Sequence, residues 1–384
     1  MQNITSRLLI IIVLSSLLNA VVAHDLTRLP LGDGKISTSP KKGWIWACRI
    51  DPNAGGAHRN GAWIKSDGTY DLTDKAVVPG NVSWSNRFNI KIKNGQRIIS
   101  ANDLPSHSTG TFPIPSSSEA YNFDTNPNRI REQNIMLELP ANPELASTPS
   151  CAPGVVGITL SGVVLFNALD APGRDAVAHE TQDQCQGHPQ KSGVYHYHSV
   201  STCVEDQHKP GSHSGLVGYM VDGFGIYGRY GEDGKELSSA DLDECHGHTH
   251  TIDWDGKQVN MYHYHATWDF PYSAGCLRGK YTMANVMKLS GGPIQRGSQR
   301  GRNDMRDGGR MPPSGMDDQG PPQGMNNRQG PPGGQPDLNV AAEKLGISVE
   351  KLRAALGPPP PDLRATARKL GITESKLRSA LGVP

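Results

Sequence analysis

Val155-Val156-Gly157-Ile158-Thr159-Leu160-Ser161-Gly162-Val163-Val164-Leu165-Phe166 aligns without a gap on Leu216-Val217-Gly218-Tyr219-Met220-Val221-Asp222-Gly223-Phe224-Gly225-Ile226-Tyr227. Gly157 falls on Gly218, Gly162 on Gly223, and apolar residues mostly on apolar ones. Each copy reads as a hairpin around a Ser-Gly or Asp-Gly turn, because short apolar runs broken by such a pair favour tight β turns. The register continues through Gly173-Arg174-Asp175 against Gly234-Lys235-Glu236, then Cys185-Gln186-Gly187-His188 against Cys245-His246-Gly247-His248. Tyr195-His196-Tyr197-His198 and Tyr262-His263-Tyr264-His265 close the two copies, followed by Cys203 and Cys276. Residues 151–290 are therefore expected to form an internally duplicated antiparallel β domain, with length differences confined to surface loops.

Working outward, residues 24–150 read as a β-rich region of short strands and long loops. Gly43 to Cys48 is aromatic and β-branched, and Ser66-Asp67-Gly68-Thr69 has the composition of a turn. Phe88 to Lys93 and Gln96 to Ser100 flank Asn94-Gly95, the pair that a type I′ hairpin turn demands. Residues 291–336 are dominated by Gly, Pro, Gln, Arg, Asp and Met. Such a composition cannot bury enough apolar surface to offset the entropy of ordering, so a disordered linker is expected there. Residues 337–384 carry a second pattern, Leu345-Gly346-Ile347-Ser348 echoed by Leu370-Gly371-Ile372-Thr373. Each unit reads as helix, glycine stop, Ser or Thr cap and second helix, giving a small two-unit helical repeat.

At the other end, residues 1–23 have the form of a signal peptide. Arg7 precedes an apolar run from Leu8 to Leu18, and Val21 with Ala23 supplies the small-residue cleavage pattern. The run is too short to span a bilayer, so no membrane span is expected and the protein is placed in the periplasm or outside the cell. The six cysteines, Cys48, Cys151, Cys185, Cys203, Cys245 and Cys276, agree with that location, since an even number in an exported chain favours disulfides. The duplication argues for equivalent bonds within each copy: Cys185 with Cys203 and Cys245 with Cys276, leaving Cys48 with Cys151. A formal net charge of +1 over 384 residues provides no electrostatic signal for nucleic acid or an anionic surface.

Eleven of the 14 histidines lie between His179 and His265, so the chemistry of histidine is concentrated in the duplicated region. Residues i and i+2 of a strand share a face, which sets His196 beside His198 and His263 beside His265. Two imidazoles so placed can converge on one cation. His188 and His248, each three residues after a cysteine, are the natural third ligands. Imidazole without thiolate suits copper or zinc and not calcium or magnesium. A buried Tyr/His lattice held by hydrogen bonds is the competing account of the same motif. Weaker copper signals are His24 at the expected mature N-terminus and the methionines Met305, Met311, Met316 and Met325. Glu180, Asp183, Asp243 and Glu244 are candidate partners for the outer nitrogens of the ligands. There is no Gly-x-Ser-x-Gly, no phosphate-binding glycine loop and no His-Glu-x-x-His.

Together with Asn102-Asp103-Leu104-Pro105-Ser106-His107, Gly110-Thr111-Phe112-Pro113, Asp222-Gly223-Phe224 and Leu242-Asp243-Glu244-Cys245, the two Tyr-His-Tyr-His motifs closely resemble the YHYH domain family, over roughly residues 40 to 290. The sequence departs from that pattern at Gly225, where the family has Pro, and at His246, where it has Asn. The resemblance implies the fold and export, draws His107 into the same histidine site, and supplies no catalytic residue. The expected metal ligands are thus His188, His196, His198, His248, His263, His265 and His107, arranged either as two three-histidine sites or as one site shared between the copies. The sequence supports a metal-binding exported protein first. A metal-free binding or adhesion module comes second, and a secreted metal-dependent oxidase or hydrolase third. The helical repeat is expected to contact a protein partner or to serve for attachment.

Overall fold

Asn94 and Gly95 take φ of 53° and 72°, the left-handed pair that closes a tight hairpin between β1 (Phe88–Lys93) and β2 (Gln96–Ala101). β3 (Ile135–Pro140) pairs antiparallel on the other side of β2, completing a three-stranded sheet. This is a computed structural model describing residues 24–51, 55–204, 209–291, 338–356 and 363–381. The expected signal peptide and nearly all of the expected linker lie outside those residues. The chain divides into two units, one up to Gln299 and one from Arg300.

In the first unit the two aligned segments form hairpins as read. β4 (Val155–Thr159) turns at Gly162 into β5 (Val164–Phe166), and β8 (Leu216–Met220) turns at Gly223 into β9 (Gly225–Tyr227). Between them lie β6 (Gly187–Pro189) and β7 (Tyr195–Tyr197), and after them β10 (Gly247–Trp254) and β11 (Lys257–His265). These eight strands make one sheet in the order β6-β7-β5-β4-β8-β9-β11-β10. β4 and β8 pair antiparallel at its centre, and each Tyr-His-Tyr-His strand lies one place in from an edge.

The sheet is not antiparallel throughout, as the sequence reading had it. β5 runs parallel to β7, and β9 runs parallel to β11. The reason is the connection: parallel neighbours need a crossover of a dozen or more residues, and the chain between Phe166 and Tyr195, or Tyr227 and Lys257, is long enough to make one. The equivalent crossovers carry equivalent bridges, Leu169 to Asp175 and Tyr230 to Glu236. In the first, Asp175 caps the short helix α1 (Ala176–His179) by accepting from the Val177 and Ala178 amides.

Tyr195, Tyr197 and Tyr264 are fully buried, and so are Phe224 and Ile226, in a core that also takes in Ile99, Ile135 and Leu137 from the smaller sheet. Arg97 ties the two sheets together: it is 2% exposed, pairs with Asp255 in the β10–β11 turn at 2.8 Å, and lies over the rings of Tyr219 and Trp254. Helix α2 (Met283–Leu289), capped by Thr282, packs on β3 and β4. The disulfides are Cys48–Cys151, Cys185–Cys203 and Cys245–Cys276, the expected pairs. Gly43 to Cys48 forms only isolated bridges, at Ile45 and Ala47, instead of a strand.

The second unit is four short helices, α3 (Leu338–Leu345), α4 (Val349–Leu356), α5 (Leu363–Leu370) and α6 (Glu374–Leu381). Gly346 and Gly371 stop α3 and α5 with φ near +70°, while Ser348 and Thr373 accept the amides of Lys351 and Lys376 at the starts of α4 and α6. Leu352, Leu377 and Ala341 are buried among them. Among the described residues no helix is long and apolar enough to cross a membrane.

Candidate metal centres

The loop that delivers each upstream histidine is built on an aspartate. The Asp183 carboxylate accepts the amides of Cys185 and Gly187, and Asp243 accepts those of Cys245 and Gly247. The residue between, Gln186 or His246, is forced to positive φ, 61° or 77°. A side chain at Gly187 would overlap the Tyr195 ring, and one at Gly247 the Tyr262 ring, so glycine is needed where the loop passes over the strand. With the loop so folded, His188 lies directly opposite His196 and His248 directly opposite His263 in the strand register.

In the first cluster His196 Nδ1 faces the Val194 carbonyl at 3.3 Å and His198 Nδ1 faces the Asn167 carbonyl at 2.6 Å. A carbonyl only accepts, so both Nδ1 atoms carry a proton, and in the neutral ring each Nε2 presents a lone pair. Those two Nε2 atoms are 3.2 Å apart. Glu180 Oε2 is 3.1 Å from His198 Nε2 and 3.2 Å from His188 Nε2, yet neither Glu180 Oε2 nor His188 Nε2 has an aligned hydrogen bond. Burial opposes the charge on Glu180, but His188 and His198 outweigh it and hold the carboxyl well below its usual range. For His188, burial favours the neutral ring and Glu180 overrides it, raising its pKa. Burial, with His188 and His198 close by, depresses His196 well below the usual imidazole value. Phe166 stacks on His196 at 3.9 Å between centroids.

The second cluster repeats the arrangement and enlarges it. His263 Nδ1 faces the Met261 carbonyl at 3.1 Å and His265 Nδ1 the Gly228 carbonyl at 2.6 Å. His263 Nε2 lies 3.1 Å from His248 Nε2, and His265 Nε2 lies 3.1 Å from His213 Nε2, whose own Nδ1 faces the Ser214 carbonyl at 2.7 Å. His250 completes the group, 3.3 Å from Glu232, with neither ring nitrogen in a hydrogen bond. Donor atoms of His213, His248, His250 and His263 all lie within 4.8 Å of one another. Burial is the main cause of their low proton affinity, taking His263 down to about 2 and His213 to about 4, with the neighbouring imidazoles adding to it.

Both expected triads are thus brought together, His188 with His196 and His198, and His248 with His263 and His265. They are not brought to one place: β7 and β11 are separated by β5, β4, β8 and β9, which at ~4.8 Å per strand is roughly 24 Å. His107 joins neither triad. Its Nε2 contacts the Tyr197 hydroxyl, on the face of β7 opposite the imidazoles. The sulfurs near it, Cys185 and Cys203, are in a disulfide and offer no thiolate. His246 turns away to Thr267 Oγ1 at 3.0 Å, and His24 is engaged by Glu236. Two histidines escaped the sequence reading. His250 is the i+2 partner of His248 on β10 and was open to the rule used for the Tyr-His-Tyr-His strands. His213 comes from the segment leading into β8 and has no local signal. Glu180, read as an outer partner, stands among the imidazoles themselves.

No curated protein and no solved structure matches the chain. The family model described as YHYH protein matches residues 136–239, which run from within β3 to beyond β9 and include the first Tyr-His-Tyr-His motif. By that match, the chain carries a YHYH domain.

Proposed function

We propose that the protein is an exported binder of transition-metal ions, copper or zinc, with one centre in each half of an internally duplicated β domain. The observation that carries this reading is the convergence of Nε2 atoms, His196 on His198, His248 on His263 and His213 on His265, each pair within 3.2 Å, with the outer nitrogen of every one of these rings except His248 facing a carbonyl. Facing lone pairs repel unless a metal ion or a proton stands between them, and a carbonyl at the outer nitrogen is one of the usual ways of aiming histidine at a metal. His188, His196, His198 and Glu180 would hold one ion. His248, His263, His265, His213 and His250 supply the second.

Duplication is supported by the sheet order, which from either edge inward runs loop strand, Tyr-His-Tyr-His strand, second hairpin strand, first hairpin strand. Export is supported by the three disulfides and by the form of residues 1–23. The helical tail then serves as an interaction or attachment module. The test is elemental analysis of chelator-free protein after loading with copper or zinc. Two tightly held ions per chain are expected. No retained ion at any loading would leave the metal-free Tyr/His module in its place.

A further inference from the structure

The two histidine clusters differ in the donors that stand beside the imidazoles. In the first, Glu180 Oε2 lies 3.2 Å from His188 Nε2 and 3.1 Å from His198 Nε2. Three imidazoles and a carboxylate are donors that zinc(II) takes in its tetrahedral sites. In the second, the donor group of His213, His248, His250 and His263 contains no carboxylate. Glu232 reaches only its outer edge, 3.3 Å from His250 Nδ1, and is exposed.

The strand register brings a different donor to this second cluster. Met261 pairs directly with His250 and precedes His263 by two residues, so it shares the face of the β10–β11 ribbon that carries His248, His250 and His263. Val194 holds the corresponding place in the first half: its carbonyl faces His196 Nδ1 as the Met261 carbonyl faces His263 Nδ1. An isopropyl group donates nothing, whereas a thioether is a soft ligand that selects copper(I). Charge points the same way. Zinc(II) beside Glu180 leaves one net positive charge among imidazoles that are 3–4% exposed. Among the five neutral imidazoles of the second cluster a divalent ion would leave two, and copper(I) leaves one. Burying an ion costs steeply more as its uncompensated charge rises.

Resting on the metal-binding reading above, we propose that the two centres sort metals: the first takes zinc(II), and the second takes copper(I), with Met261 lending its sulfur to the imidazoles. The carboxylate of Glu180 and the thioether of Met261 are the residues that make the difference.

The full chain is loaded without oxygen from an equimolar excess of zinc(II) and tetrakis(acetonitrile)copper(I), desalted, and counted for both elements. One zinc and one copper per chain are expected. Replacing His196 and His198 by Ala should remove the zinc and leave the copper, and replacing His248 and His263 by Ala should do the reverse. X-ray absorption at the copper edge should show a sulfur neighbour that Met261→Leu removes. The same variant keeps the bulk of the side chain. It should weaken copper(I) at least tenfold in competition with bathocuproine disulfonate, with zinc content unchanged. Two ions of one element per chain, copper lost with His196 and His198, or a copper shell without sulfur would overturn the inference and leave metal binding standing. A chain that retains neither metal refutes metal binding itself and this inference with it.

Discussion

Tyr195 donates its hydroxyl to the Asp183 carboxylate, lying 3.0 and 2.9 Å from its two oxygens. The same carboxylate holds the amides of Cys185, Gly187 and Gly110, so one buried group joins the Tyr-His-Tyr-His strand to the loop that carries His188. Tyr262 and Asp243 make the equivalent bond at 3.1 Å in the other half. The tyrosines of the motif thus fix where the histidines stand.

Tyr195→Phe removes one donor from a buried carboxylate while keeping the ring. A loss of about 1–3 kcal/mol is expected. Urea unfolding should show a lower midpoint with an unchanged slope, and a midpoint equal to wild type would mean that the bond contributes nothing.

The two histidine clusters lie roughly 24 Å apart and share no residue, and distant sites behave additively. Replacing both His196 and His198 by Ala should therefore halve the retained metal and leave the affinity of the remaining ion nearly unchanged. Isothermal titration of the variant decides the point: loss of all tight binding would contradict separate centres.

Acid should destabilise the metal-free protein over a defined window. His246, buried beside Thr267, is lowered to about 4 mainly by burial, and His213 to about 4 by burial and by His250. In the unfolded chain both titrate near ~6.5. Below that value the unfolded state takes up protons that the folded state refuses, so stability is full above pH ~6.5 and falls as pH drops towards 4. Thermal melts between pH 7 and 4 should show this decline. A melting temperature constant across the window would refute it.

Arg97 is buried, pairs with Asp255, and stacks on Tyr219 and Trp254. Arg97→Ala should cost about 3 kcal/mol, the low end for breaking a buried pair, because Asp255 keeps part of its hydration. Arg97→Lys should rescue little, since an ammonium reproduces neither the fork on the carboxylate nor the flat contact with the rings. Equilibrium unfolding of both variants checks this, and full stability of the lysine variant would argue that charge alone matters.

Much of the architecture was legible because it is local. The Asn94-Gly95, Ser161-Gly162 and Asp222-Gly223 turns are written in two residues each, and the period of two along a strand placed His196 with His198 before any tertiary structure was known. The sequence match of residues 155–203 with 216–276 also indicated the disulfide partners, since matching cysteines follow matching motifs. Tertiary structure decided what depends on long-range packing. The crossovers lay β7 parallel to β5 and β11 parallel to β9, the sheet order drew the two triads apart, and loop docking brought Glu180 to the first cluster and His213 to the second. His107 shows the same limit in reverse: nothing in its Pro-Ser-His stretch says which face of β7 it will meet, and it meets the tyrosines. Turn chemistry and alternation act within a few residues. Which loop fills a site is settled by how the whole core packs.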